Sequence, residues 1–475
     1  MLRRAVFRFA RDRNANVAII FALVMVPTIF LLGMALDYTL AMRQREQLNA
    51  AADAAAIAAV RPAMLTQTDT AVVKATAEAV FAAKANLPGL SATPTPTVTV
   101  TDTGLARSIT VSYTALSVNN FPGVLGQQTW KIGGSATAKA SSAPNMNFYL
   151  LLDDSPSMAI AATQTDINNM ITATKNQPSG SKNCAFACHE TNPSKDSGAT
   201  SSTKDNLAIA RANNITLRID LVQNAVTQLM VGPWTCPQSG VTGGVMQCMA
   251  ALNNTTYKAA IYTFDYGLNT IQTLTTPTTA GTKISNIQLM TVDHQNCILT
   301  NSSGACVYST DYGTDISGGL TGVNTVMPAP GTGTNQAGDT PQEVVFLVTD
   351  GVEDKLMPKP GTCDSAATYP LPTGSTSTVR CQQPLDTTIC TTIKNRGIRI
   401  AVLYTEYLQL PTDSWYNSRI AQFNNPSSST GTIATRLQSC ASPGLYASVQ
   451  TGGDISAALT NLFIKVASST ASLVQ

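Results

Sequence analysis

Hydrophobic residues run almost unbroken from Val17 to Leu36, interrupted only by Pro27, Thr28 and Gly33. About 20 helical residues at 1.5 Å each cover the ~30 Å hydrocarbon core of a bilayer, so this stretch predicts a transmembrane helix over 17–36. From Tyr38 to Val60 the chain contains neither Gly nor Pro and is dominated by strong helix formers. The helix is therefore expected to continue outward until Pro62. A second Ala-rich helix is expected from Asp69 to Ala85, stopped by Leu87-Pro88-Gly89. Beyond Pro94 and Pro96 the period drops to two. Val98 and Val100, then Ile109, Val111 and Tyr113, alternate with polar residues across a turn at Gly104, and Trp130, Ile132 and Ala136 to Ala138 suggest a further strand.

Ser141-Ser142-Ala143-Pro144 reads as a linker, after which the pattern changes again. Phe148 to Leu152 and Val344 to Val348 are wholly apolar, as expected of strands buried on both faces of a parallel sheet. Shorter runs at Tyr257–Phe264, Asn269–Leu274, Ile398–Tyr404 and Leu445–Gln450 add strands. Helical patterns at Leu217–Met230, Thr387–Asn395 and Ile455–Ser468 separate or follow them, the last with Asp454 as its cap. Polar, Cys-bearing stretches at about 176–205, 232–256, 275–311 and 355–385 interrupt this α/β frame as insertions too poor in apolar residues for cores of their own. The expected layout is a basic segment over 1–16, the membrane helix over 17–36, a small α+β region over 37–140 and an α/β domain over 146–475.

With 475 residues the chain has room for two or three domains. Only 12% of residues are charged and the net charge is +2, too little to neutralise many phosphates, so no nucleic-acid partner is expected. Arg3, Arg4, Arg8, Arg11 and Arg13 precede the apolar run, against Arg43 and Arg45 just after it. That asymmetry predicts a cytoplasmic N-terminus. A cleaved signal peptide is the competing reading, but its apolar core would be about 7 to 15 residues long. Ten cysteines lie between Cys184 and Cys440, an even count at irregular spacing with no CxxC pair. Disulfides in an oxidising compartment fit this better than a metal site, and the pairing stays open.

The first apolar strand runs into Asp153-Asp154-Ser155-Pro156-Ser157-Met158, and the second into Thr349-Asp350-Gly351. In an open parallel sheet, ligands bind beyond the carboxyl ends of strands where strand order reverses, so two acidic strand ends can share one crevice. Carboxylate and hydroxyl oxygens in the spacing D-x-S-x-S suit a hard divalent cation. Thr314, in Tyr312-Gly313-Thr314-Asp315-Ile316, is a further oxygen donor, with Thr310 and Thr321 close by. Asp154, Asp315, Glu353 and Asp354 would attract cations or be solvated loop charges. Taken alone, Asp-x-Ser-x-Ser more often caps a helix than binds metal.

The order Asp153, Ser155, Ser157, Thr314, Asp350-Gly351 resembles the von Willebrand factor type A domain. The resemblance implies a doubly wound, mostly parallel, Rossmann-like α/β fold with a metal-ion-dependent adhesion site. There Ser155, Ser157 and Thr314 would coordinate Mg²⁺ or Mn²⁺, with Asp153 and Asp350 acting mainly through water or hydrogen bonds. Asp154 and Pro156 depart from the small residues usual at those positions. The arginine-flanked span, the ALDY and AADAAAIAAV stretches, the strand region and the closing GDISAALTNLFIKVASS together resemble the TadG-like proteins of the tight-adherence (Tad/Flp) pilus apparatus. This second resemblance implies a bacterial inner-membrane protein facing the periplasm, with a pilin-like region over 37–140. Its expected partners are other pilus-assembly or pilin proteins, engaged through an acidic residue that completes the metal site.

A passive, minor-pilin-like structural role with an inactive metal site is the alternative. Cys184-Ala-Phe-Ala-Cys188-His189 has CxxxCH spacing where haem attachment needs CxxCH. Neither His189 nor His294 lies in a motif that would mark a catalytic base, and GxSxG, HExxH and Gly-rich phosphate loops are lacking, so no enzymatic activity is expected.

Overall fold

The computed structural model describes residues 14–468 except 123–125, 179–180, 308–311, 359–367, 370–377, 408, 410–415, 425–431 and 451. The chain divides into two compact units, with the boundary between Ser142 and Ala143.

In the first unit, helix α1 (Asn14–Ala59) is 46 residues long and continuous through Pro27. Side chains of the apolar run are exposed up to Leu32. From Gly33 onward one stripe is buried: Gly33, Asp37, Ala41, Gln44, Leu48, Ala51, Ala52, Ala55, Ala56 and Ala59. Steps of three and four keep this stripe on one helix face. Its alanines allow close approach of α2 (Thr70–Ala85), which contributes Val73, Ala77, Phe81 and Ala85 at four-residue intervals. Asp69 caps α2 by accepting the Ala71 N–H at 2.8 Å. Strands β1 (Thr97–Thr103), β2 (Ala106–Val118) and β3 (Thr129–Ser141) form an antiparallel sheet. Its inner face, including Ile109, Val111, Tyr113, Ala115 and Ile132, joins the same core. The β1–β2 turn passes through Gly104 at φ +58°, a conformation that favours glycine. At the other end of the sheet the buried Asp37 carboxylate accepts the N–H groups of Asn120 at 2.8 Å and Phe121 at 3.0 Å.

The second unit is built on β4 (Met146–Asp153), α3 (Arg218–Met230), α4 (Val245–Asn253), β5 (Tyr257–Phe264), β6 (Leu268–Thr275), α5 (Ile316–Val326) and β7 (Gln342–Thr349). It continues with β8 (Val352–Pro358), β9 (Thr378–Pro384), α6 (Thr388–Asn395), β10 (Arg399–Thr405), α7 (Ile433–Cys440), β11 (Tyr446–Val449) and α8 (Ile455–Ser468). The main sheet has the order β11-β10-β7-β4-β5-β6, parallel throughout except for the antiparallel edge pair β5–β6. It is thus a mixed sheet in an α/β unit. All eight residues of β4 are buried, because each face of the sheet is covered. Phe148, Leu150 and Leu152 pack with α3, α4 and α8 on one side, while Tyr149 and Leu151 pack with α5, α6 and α7 on the other. Asp454 caps α8 through the Ala457 N–H at 2.8 Å.

Three of the expected insertions carry more structure than their polar composition suggested. Within 232–256, α4 buries Val245, Met246 and Cys248 in the main core. Within 275–311, Met290, Val292 and Ile298 form a small cluster of their own, with Tyr312 against it. Within 355–385, β8 and β9 pair as antiparallel strands. A few apolar residues suffice in these places because neighbouring elements complete the burial.

Disulfides join Cys236 to Cys248, Cys297 to Cys306 and Cys390 to Cys440, and Cys381 is also disulfide-bonded. The third ties α6 to α7 across a sequence separation of 50 residues. On the chain-entropy model, closing a loop of that length stabilises the fold by about 4 kcal/mol. The double substitution Cys390→Ala with Cys440→Ala should therefore lower the stability of the α/β unit by about 3–5 kcal/mol, with the larger loss expected there than for Cys236→Ala with Cys248→Ala. Denaturant unfolding of the two variants checks both the size and the ranking.

Candidate functional site at the ends of two parallel strands

From β4 the chain moves to β5 and β6 on one side and later returns to β7, β10 and β11 on the other. Strand order therefore reverses at β4, and Asp153 and Asp350 emerge there from neighbouring strands paired through Leu152 and Val348. Both aspartates are fully buried.

Asp153 is held on two sides. The Ser155 N–H donates to one carboxylate oxygen at 3.0 Å, and the Thr349 hydroxyl donates to the other at 2.6 Å. Ser155 is buried, and its Oγ lies 3.1 Å from that of Ser157. Pro156 opens a short 3₁₀ turn, Pro156–Ala159, where its missing N–H costs nothing. Gly351, which follows Asp350, has φ +85°, and a Cβ there would lie 2.5 Å from Ile433 Cγ2. Only glycine fits this turn. Thr314 is nearly buried, and its backbone exchanges hydrogen bonds with Asp354 at 3.0 and 2.8 Å. Ser157 and Thr314 line one cavity of about 380 Å³, together with Pro156, Met290, Asp354 and Tyr407. Of the other candidate threonines, Thr310 lies outside the described residues. Thr321 is exposed on α5, with its hydroxyl donating to the Ser317 carbonyl at 2.7 Å.

The electrostatics are dominated by burial. Desolvation, followed by the negative charge of Asp350, pushes the Asp153 carboxyl up to about 7 against the pull of Ser155 and Thr349. Asp350 is also raised by burial, opposed by Arg218 and the Ser157 hydroxyl. Burial raises Asp154 to about 8, with Asp265 and Asp153 adding to the effect, and burial raises Asp265 as well. Among the described residues one guanidinium offsets this group: Arg218 Nη1 lies 3.7 Å from Asp350 Oδ2. Among the described residues no donor meets either Asp350 carboxylate oxygen, or Oδ1 of Asp154, with full hydrogen-bond geometry, although the Ser157 hydroxyl and the Arg218 guanidinium stand near Asp350.

The more distant acids do not belong to this cluster. Glu353 is buried against Lys355 at 3.1 Å and the Ser317 N–H at 2.8 Å. Asp315 pairs with Lys355 at 2.9 Å and accepts the Gly318 N–H at 2.9 Å, and Asp354 binds Arg380 and Gln382. Each of these three has a basic partner supplied by the fold, although Oε2 of Glu353 is buried without a hydrogen bond among the described residues. Asp293, His294 and Cys297 also converge, with possible ligand atoms within 4.8 Å of one another. The Cys297 sulfur is consumed by its disulfide to Cys306. Burial works against the Asp293 charge, but hydrogen bonds from His294, Asn192 and Lys195 hold it down at about 2. That group is a structural junction.

Two contributors escape a reading of the sequence. Thr349 stands next to Asp350, but a strand-terminal Thr gives no sign that its hydroxyl serves the other aspartate. Arg218 opens an ordinary amphipathic helix, and nothing local marks it as a counter-ion.

Residues 15–62, which include nearly all of α1, match the model of the Flp pilus-assembly TadE/G-like family (Tad). Over these residues the resemblance to TadG-like proteins is borne out. No curated protein matches the chain. Among solved structures, the vWF domain of the type V pili tip protein Mfa5 from Porphyromonas gingivalis is 10% identical, with 70% of this chain and 97% of that one covered at a TM-score of 0.32. The PilB minor pilin from Streptococcus sanguinis is 12% identical, with 79% and 78% covered at 0.33. The pilus adhesin SpaC from Lactobacillus rhamnosus GG is 11% identical, with 79% and 34% covered at 0.32.

The raised carboxyls have a direct consequence for stability. In chelator, Asp153 and Asp154 stay protonated in the folded chain well above pH 4, whereas in the unfolded chain they ionise near pH 4. The folded state then holds more protons, so stability falls as pH rises from about 4 to 8. The depressed Asp293 acts with opposite sign and only below about pH 4. Thermal melts in chelator should show a Tm several degrees lower at pH 8 than at pH 5, and Asp154→Asn should flatten part of that slope. A Tm that rises steadily over this range would contradict the buried-acid cluster.

Proposed function

We propose that the chain is a membrane-anchored component of Tad/Flp pilus assembly, with residues 38–475 in the periplasm. Its α/β unit, over 146–475, is a doubly wound von Willebrand factor type A domain, and residues 37–140 form a pilin-like region. The α/β unit binds Mg²⁺ or Mn²⁺ through Asp153, Ser155, Ser157, Thr314 and Asp350. Support for the anchor comes from the apolar run of α1 and the family match over 15–62.

The observation that carries the metal reading is Asp350, whose two buried carboxylate oxygens meet no donor with full hydrogen-bond geometry among the described residues, beside a second buried aspartate. Such orphan oxygens in a native fold call for an unseen ion or a proton. The donor set is entirely carboxylate and hydroxyl oxygen, which fits a hard divalent cation. When bound, that cation supplies positive charge and an open position for an acidic side chain of a partner. The chain's own residues prepare the place. Thr349 and the Ser155 N–H fix the Asp153 carboxylate, the Ser155–Ser157 contact aligns two hydroxyls, and Gly351 turns the chain sharply after Asp350. Arg218 favours the second reading, a passive structural unit, because its charge near Asp350 and protonation of Asp153 stabilise the fold without metal.

Mg²⁺ or Mn²⁺ should raise the Tm of the full-length protein at pH 8, by the equivalent of about 2.7 kcal/mol at a hundredfold excess over Kd. Ser155→Ala with Ser157→Ala should abolish the shift while preserving the fold. Asp153→Ala and Asp350→Ala should impair pilus assembly or surface attachment. No shift in the wild type, or intact attachment in both aspartate variants, would favour the passive role. Orientation is checked separately: protease added to the cytoplasmic side of membrane vesicles should leave the α/β unit intact.

A further inference from the structure

The chain leaves its apolar run at Leu36, yet the sheet of the first unit reaches back past that point. A Cβ placed on the buried Gly33 would lie only 3.2 Å from Cγ of Phe121, so the Phe121 ring rests on the bare backbone of Gly33. Gly33 is three residues inside the end of the run, about 4.5 Å along the helix axis. Phe121 is nevertheless 40% exposed, beside Val118 at 43% and Tyr38 at 51%. Two N–H donors of the backbone that carries it there are satisfied, since Asp37 accepts those of both Asn120 and Phe121. A polar backbone can approach hydrocarbon only on that condition. One turn further out, Tyr38 and Trp130 meet edge to face at 5.9 Å, the residue types that gather where hydrocarbon meets headgroups. Exposed Arg43 follows about 10 Å beyond Leu36.

We propose that this end of the first unit is a membrane-surface seat, in which Phe121 enters the outer leaflet edge, Tyr38 and Trp130 lie at headgroup level, and Arg43 meets anionic headgroups. The occupant is the lipid bilayer itself, because the patch is continuous with the apolar run that crosses it. The proposal rests on the anchor reading above and adds that the small sheet is held down on the membrane, not carried clear of it by α1. Asp37 is then a positioning residue that keeps the 119–121 backbone at the right depth.

The test uses the full-length protein in vesicles of phosphatidylethanolamine and phosphatidylglycerol. The signal from Trp130, Trp234 and Trp415, the chain's three tryptophans, is subtracted. The added emission of Phe121→Trp should be quenched at least twofold more by lipids brominated near the top of the acyl chain than by aqueous acrylamide. Thr110→Trp, on the outward face of β2, should show the reverse. Because Phe121→Trp alters the contact with Gly33, the difference between wild type and Trp130→Phe provides a second readout: the lost emission should be sensitive to brominated lipid. If both positions respond to acrylamide alone while the protein resists carbonate extraction, the seat is refuted and the anchor stands. Extraction of the protein by carbonate refutes the anchor and the seat with it.

Discussion

Two carboxylates buried at adjacent strand ends set the terms for the second unit. Asp153 and Asp350 arrive side by side because β4 and β7 are parallel neighbours, and parallel neighbours end on the same edge of the sheet. Burial of both strands from either face leaves neither acid a route to water. In such a place an ionised carboxylate is costly unless a counter-charge or a set of donors meets it. The fold meets the need in part, with the Thr349 hydroxyl, the Ser155 N–H and the Arg218 guanidinium. It leaves both oxygens of Asp350 without a full hydrogen bond among the described residues. The remaining deficit is what makes the site chemically interesting, since either a proton or a cation fills it.

The contrast with the acids around Lys355 is instructive. Glu353, Asp315 and Asp354 stand only a few residues from Asp350 or Thr314, and in sequence they look like extra cation attractors. In the fold each has a basic partner, Lys355 for two of them and Arg380 for the third. Charge count near a motif is therefore a poor guide to field. What separates the two groups, among the described residues, is the supply of cations by neighbouring elements: Lys355 and Arg380 along β8 and β9, against Arg218 at the ends of β4 and β7.

The first unit solves a different problem with one helix of two characters. Over its first half α1 offers apolar side chains on all sides, and over its second half it keeps a single buried stripe. Small residues make the change possible. Gly33, Ala41 and the alanines from 51 to 59 let other elements approach the helix backbone, while Asp37 ties the sheet's 120–121 backbone to it. The match to the Tad family covers this same helix and its exit, residues 15–62.

Much of both units was legible in the sequence because the signals are local. Apolar runs long enough for a bilayer, Ala-rich segments bounded by Pro and Gly, alternation in β1 to β3, and unbroken apolar strands each follow from which side chains a given element must bury. Two such strands ending in acids, one followed by serines and the other by glycine, were enough to place Asp153, Ser155, Ser157 and Asp350 together. The elements inside the polar insertions were not legible, since α4 and the Met290–Ile298 cluster owe their burial to partners elsewhere in the chain. The same holds for the cysteine pairing, for Arg218 as counter-ion and for the bond from Thr349 to Asp153, which joins residues 196 positions apart. Those were decided by tertiary structure alone, because a hydrogen bond or ion pair between distant residues depends on strand order and register, and neither leaves a mark on the residues at its ends.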